Sequence, residues 1–143
     1  MLNFALTSFA VFTGLATAPV QYFPVPGNTE RPFSEAVRVG DTLYLSGQLG
    51  IRADGALPDG FEAQAKQMME NIGATLARQR LGWGDVFHCT VMLDDMADWP
   101  AFNAIYVPYF PKGRLPARSA LGADGLALGA RIEMECQAYA GKR

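Results

Sequence analysis

The chain has 143 residues, 12 basic and 14 acidic side chains, a formal net charge of −2 and an apolar fraction of 50%. That is the size of one domain able to bury a single core without metals or a disulfide framework. The charge balance lacks the basic footprint of a dedicated nucleic-acid binder, so no nucleic-acid partner is expected.

Charge is unevenly placed, because every Asp, Glu, Lys and Arg lies at or after Glu30. Residues 1–18 are apolar, rich in small side chains and end in Ala16-Thr17-Ala18, which is the pattern of a signal peptide. Against that, no Lys or Arg precedes the apolar run, and Pro19 directly follows the small residues. Two readings stay open: an export signal, giving a periplasmic protein, or an N-terminal extension on a cytoplasmic one. Asn3, Thr7, Ser8, Thr13 and Gly14 interrupt the run, so stable membrane insertion is not expected. Residues 19–143 read as a single domain.

In chain order, residues 20–23 are expected to form a first strand, and residues 37–39 pair through Gly40-Asp41 with a half-buried strand. In that strand Leu43, Leu45, Gly47 and Leu49 alternate with Thr42, Tyr44, Ser46 and Gln48. Turn residues mark 52–58 as a loop. Asp59 and Glu62 have capping-box spacing, and Phe61, Ala65, Met68, Ile72 and Leu76 recur every three or four residues, predicting a helix over 59–80 stopped by Gly82. Within it, Gly73 is read as a close approach to the sheet or simply a tolerated weak position. Residues 86–93 alternate as a strand. Asp98 is placed as the cap of a second helix presenting Phe102, Ile105, Tyr106 and Tyr109 on one face, ended or kinked by Pro108. Strands follow at 117–122 and 130–140. In the last, Ile132, Met134, Cys136 and Ala138 share one face, while Arg131, Glu133, Glu135, Gln137 and Tyr139 share the other.

This order implies an α+β domain, one sheet with both helices on one face. The uncovered, partly apolar face calls for water or another subunit. Cys89 and Cys136 sit in alternating runs and are expected as free, buried thiols. With a lone His88 and no CxxC, no zinc site is expected.

No nucleophile elbow, phosphate loop, dinucleotide fingerprint or metal spacing is present. What remains is a polar set: Arg118, Glu133, Glu135, Asn103 and Ser46-Gly47-Gln48. In isolation such residues are more often surface groups or cross-strand pairs, for example Glu133 with Arg131 or Arg118. Trp83 and Trp99 are read as packing residues.

Taken together, Gly40-Asp41-Thr42-Leu43-Tyr44-Leu45-Ser46-Gly47-Gln48, Phe102-Asn103-Ala104-Ile105-Tyr106, Pro116-Ala117-Arg118-Ser119-Ala120 and Ile132-Glu133-Met134-Glu135 resemble the RidA/YjgF family of reactive enamine and imine deaminases, from about residue 32 to residue 140. The resemblance implies a chorismate-mutase-like two-layer fold with one mixed sheet. It also implies a homotrimeric barrel with ligand sites between subunits. It implies hydrolysis of small 2-imino acids, in which Arg118 grips the substrate carboxylate, Glu133 positions or activates water, and Gly47 and Asn103 line or support the cleft. No cofactor or metal is implied. Phe33 and Ala120 stand where family deaminases commonly carry Tyr and Cys, so they bear on substrate choice or on whether turnover survives. A non-catalytic module binding small carboxylates is the alternative reading. The ribonuclease label the family often carries fits the charge poorly.

Overall fold

The structure, a computed structural model, describes residues 19–141, so the leader reading of residues 1–18 lies outside the described residues. The strands are β1 (Gln21–Pro24), β2 (Ser34–Val39), β3 (Thr42–Leu45), β4 (Gln48–Leu49), β5 (Val86–Leu93), β6 (Ala117–Gly122) and β7 (Ile132–Tyr139), and the helices α1 (Phe61–Arg78) and α2 (Trp99–Tyr106). One mixed sheet runs β1-β2-β3-β7-β5-β6, with β4 also pairing β7. Only β5 and β6 are parallel, because α2 carries the chain across between them. This is the expected α+β arrangement.

The core forms where the helices meet the sheet. Phe61, Ala65, Met68, Ile72 and Leu76 of α1 are buried, as is Met69, and they pack with Phe102 and Tyr106 of α2. The faces of β7 match the alternation read from the sequence, with Ile132, Met134, Cys136 and Ala138 buried. The opposite face leaves Tyr22, Val39, Tyr44, Leu121 and Tyr139 exposed.

Several local expectations change. Helix α1 starts on Gly60, whose φ of 84° excludes a conventional cap, and Asp59 makes no capping bond. It ends on Arg80, at φ 59°, with Leu81 N–H donating to the Leu76 carbonyl (2.9 Å) and Arg80 N–H to that of Ala77 (2.9 Å). This is a Schellman ending with Arg in the position usually given to Gly. Gly82 is extended and opens the next turn instead. Gly73 makes room for Trp83, not for the sheet. Asp98 does not cap α2, because its carboxylate accepts from Arg131 Nη2 at 2.7 Å. Pro108 tightens the end of α2 into a 3₁₀ turn, as expected of a residue lacking an N–H.

Two bulges matter for the site. Phe23 pairs with Ala36 and Pro24 with Ser34, so Glu35 is an extra residue in β2. Its carboxylate reaches Thr75 and Arg78 of α1. The single strand expected through Gln48 is broken: Tyr44 pairs with Gln137, but Gln48 pairs with Met134, leaving one surplus residue around Ser46-Gly47.

The cysteines are also corrected. Cys89 and Cys136 lie directly opposite in β5 and β7 and form a disulfide beneath the helices. Both were placed correctly on buried faces, but they are bonded to each other rather than free. Among the described residues no cluster of His, Cys, Asp and Glu could hold a metal ion, and no helix is long and apolar enough to cross a membrane.

Candidate active site

Arg118 sits on the edge strand β6. It is the register partner of Cys89, so its side chain shares the helix-facing side of the sheet. There it meets one stripe of α2: its guanidinium carbon lies 4.3 Å from the Trp99 ring centroid, 4.5 Å from Tyr106 and 5.9 Å from Phe102. Trp99, Asn103 and Tyr106 are spaced i, i+4, i+7, which puts them on one helix face. Arg118 Nη2 donates to Asn103 Oδ1 at 2.8 Å. Three rings and one amide therefore fix the plane of the guanidinium, while among the described residues no carboxylate pairs with it and Nη1 has no acceptor. The Tyr106 hydroxyl is likewise buried without a partner among the described residues. Burial pushes that phenol up to about 12, against a smaller opposing pull from Arg118.

A second feature is a cleft of about 890 Å³ where β2, the Ser46-Gly47 bulge and the flank of α1 meet. Its lining includes Arg31, Phe33, Gly47, Asn71, Arg78 and Glu133. Phe33 is half exposed on its wall. Glu35 is buried and receives Thr75 Oγ1 (3.1 Å) and Arg78, whose Nε donates at 3.1 Å to the second carboxylate oxygen. The buried carboxylate is thus fully paired, as a buried charge must be.

Glu133 is in the opposite condition. It projects from β7 into the cleft, and among the described residues no hydrogen bond or ion pair holds its carboxylate. Burial, and next the charge of Glu135, raise its pKa above the usual carboxylate value. The pairing with Arg131 or Arg118 that sequence context suggests is not formed, because those cations are engaged by Asp98 and Asn103. Gly47 lies against this carboxylate: a Cβ at Gly47 would overlap Glu133 Oε1. Since the obstructing atom ends a flexible side chain, Gly47→Ala should leave the fold intact but push the carboxylate aside. We expect at least about a tenfold loss of activity with a melting temperature close to wild type, checked by steady-state kinetics and thermal melts on the same preparation. Gly50 is the contrast, because a Cβ there would strike the Gln64 backbone carbonyl.

The site residues expected from sequence thus fall into two groups. Phe33, Gly47 and Glu133 line the cleft. Arg118 and Asn103 lie together on the helix-facing side of the β6 edge, with Ala120 two residues along the same strand face and packed against the core. The register separates the groups: Glu133 pairs with Met92 and Arg118 with Cys89, on opposite faces of a sheet in which β5 lies between β6 and β7. Trp99, read from sequence as a packing residue, and Tyr106, placed there on the apolar face of the second helix, hold Arg118. The signal for them was the shared helix stripe with Asn103.

These features agree with what the chain is similar to. Residues 26–140 match the family described as Endoribonuclease L-PSP. The chain belongs to the RidA/YjgF family. It is 39% identical over 112 residues to the mouse protein named 2-iminobutanoate/2-iminopropanoate deaminase, covering 77% of this chain and 82% of that one. RidA from an Antarctic Psychrobacter matches with a TM-score of 0.74 at 35% identity, over 84% of this chain and 97% of that one. Escherichia coli TdcF with bound serine matches with a TM-score of 0.72 at 25% identity, over 78% and 90% of the two chains.

Proposed function

We propose that the protein hydrolyses small 2-imino acids to 2-keto acids and ammonia, in a site built from two copies of the chain. The observation that carries this reading is Arg118: a guanidinium oriented by Trp99, Tyr106 and Asn103, with no carboxylate partner among the described residues. A planar guanidinium matches a carboxylate with two parallel hydrogen bonds, which fixes the adjacent C=N carbon in space. The mouse relative's name and the serine bound to TdcF are consistent with a small ligand bearing a carboxylate.

Glu133 supplies the proton transfers. As water attacks the imine carbon, the carboxylate takes one of its protons and delivers it to nitrogen, giving a carbinolamine; it then moves the hydroxyl proton to the amino group, the C–N bond breaks, ammonia leaves and the carbon is left as the keto group. The atoms balance without a cofactor. A carboxylate with a raised pKa is a stronger base than a fully solvated one and sits nearer the working pH, where one group can both accept a proton and pass it on.

Because Arg118 and Glu133 occupy opposite faces of one sheet, a second chain has to bring them together. The exposed apolar residues Val39, Tyr44, Leu121 and Tyr139 offer a face for that assembly. A homotrimer with three shared sites satisfies both requirements.

The test is disappearance of 2-iminopropanoate or 2-iminobutanoate, generated in situ by an amino-acid oxidase, with and without the protein. Faster loss supports the reading. Calorimetric binding of 2-ketobutyrate without faster loss would show a carboxylate-binding module instead. The pH profile is specific: Glu133 must be ionised to act as base, so the acid limb should lie above the ordinary carboxylate value of 4.5, and Glu135→Gln should move it down. An acid limb indifferent to Glu135→Gln would remove Glu135 as a contributor.

A further inference from the structure

Three arginines, Arg31, Arg52 and Arg78, line the cleft, and they are not equivalent. Arg78 is paired with Glu35, and Arg52 with Asp54 at 3.5 Å. Arg31 lines the same cleft but has no hydrogen bond or ion pair among the described residues. Its guanidinium carbon instead lies 5.8 Å from the Phe33 ring centroid. An Arg on an aromatic face keeps its in-plane N–H donors free, so the contact orients the group without using it. The cleft volume of about 890 Å³ also lies near the top of the range of roughly 300–1,000 Å³ that accommodates ligands much larger than a three-carbon imino acid.

We infer that Arg31, held by Phe33, is a specificity residue that binds a second, distal carboxylate, so that the preferred substrates are dicarboxylic 2-imino acids such as 2-iminoglutarate. This rests on the imine-hydrolysis reading, in which Arg118 takes the carboxylate next to the imine and Glu133 serves the water. Arg31 then stands on the Glu133 side of the shared site, where the substrate's far end extends along the cleft. The exposed position of Arg31 lets it be altered without disturbing the core.

Two measurements separate this inference from the reading beneath it. In the first, kcat/KM is compared for 2-iminoglutarate and 2-iminopropanoate, each made in situ from glutamate or alanine. The wild-type protein should favour the dicarboxylate. Arg31→Ala should lower the dicarboxylate-to-monocarboxylate ratio about tenfold or more, the loss of one charge-assisted contact, Arg31→Lys should restore part of it, and Arg31→Glu should reverse the preference. A ratio unmoved by Arg31→Ala or Arg31→Glu overturns the inference while leaving deamination intact. In the second, calorimetry compares 2-oxoglutarate with 2-ketobutyrate, which requires no turnover. If no imine is hydrolysed but 2-oxoglutarate binds more tightly in an Arg31-dependent way, deamination fails and the assignment of Arg31 stands. If neither measurement shows Arg31 dependence, the assignment is wrong.

Discussion

Arg118→Ala should abolish most imine hydrolysis, lowering kcat/KM by about a hundredfold or more, and should weaken 2-ketobutyrate binding in parallel. In the proposed mechanism the magnitude follows from losing a two-pronged charged contact that both binds the substrate and places its reactive carbon. Arg118→Lys should recover little, because a point charge cannot reproduce the planar match, nor stack as a flat plane between Trp99 and Tyr106. Asn103→Ala should act through the same group: with its 2.8 Å contact gone, the guanidinium loses its orientation. Calorimetry alongside kinetics is the informative check. Retained 2-ketobutyrate affinity in Arg118→Ala would mean that the carboxylate is held elsewhere.

Glu133→Gln should produce the complementary defect, a fall in kcat of about a hundredfold or more with ligand binding largely retained, because the proton acceptor is removed while Arg118 remains. Stability should move the other way. The folded-state pKa of Glu133 is raised by burial and by Glu135. The stability associated with the protonated form is therefore fully present below the ordinary carboxylate pKa and lost as pH rises through the raised folded value. A neutral Gln keeps that stability at neutral pH. The variant should then melt no lower than wild type while being nearly inactive. A clear loss of melting temperature would indicate that Glu133 serves the fold rather than the reaction.

The contrast between these two residues shows what could be read from the chain alone. Sequence patterning placed β5 and β6 at their observed limits, put Ile132, Met134, Cys136 and Ala138 on the buried face of β7, and assigned the apolar stripe of α1. These are local periodicities, and local periodicity is what one strand or helix imposes on its own sequence. Apart from the helix ends and Gly73, where side chains found other partners than the local pattern suggests, the failures are matters of register. Cys89 and Cys136 were recognised as buried, but their meeting depends on which residues β5 and β7 bring opposite one another across a separation of 47 positions. The surplus residues at Glu35 and around Ser46-Gly47 shift pairing by one place, and nothing in a single strand announces the shift.

Register also governs the site. Arg118 and Glu133 belong to consecutive strands in the sequence, which suggests neighbours, but β5 lies between them and the pairings with Cys89 and Met92 send their side chains to opposite faces. The family resemblance supplied both residues as candidates. That resemblance also implied sites between subunits, and the topology adds the reason, because one chain holds the two residues apart.

Subunit mixing addresses that question most directly. Arg118→Ala and Glu133→Gln chains, each nearly inactive alone, are unfolded, combined in equal amounts and refolded together. With sites shared between neighbouring chains, random assembly into closed rings gives about a quarter of the sites both an intact Arg118 and an intact Glu133, so activity should return to about a quarter of the wild-type level. Activity in the mixture no greater than the mean of the two variants alone would contradict the shared site.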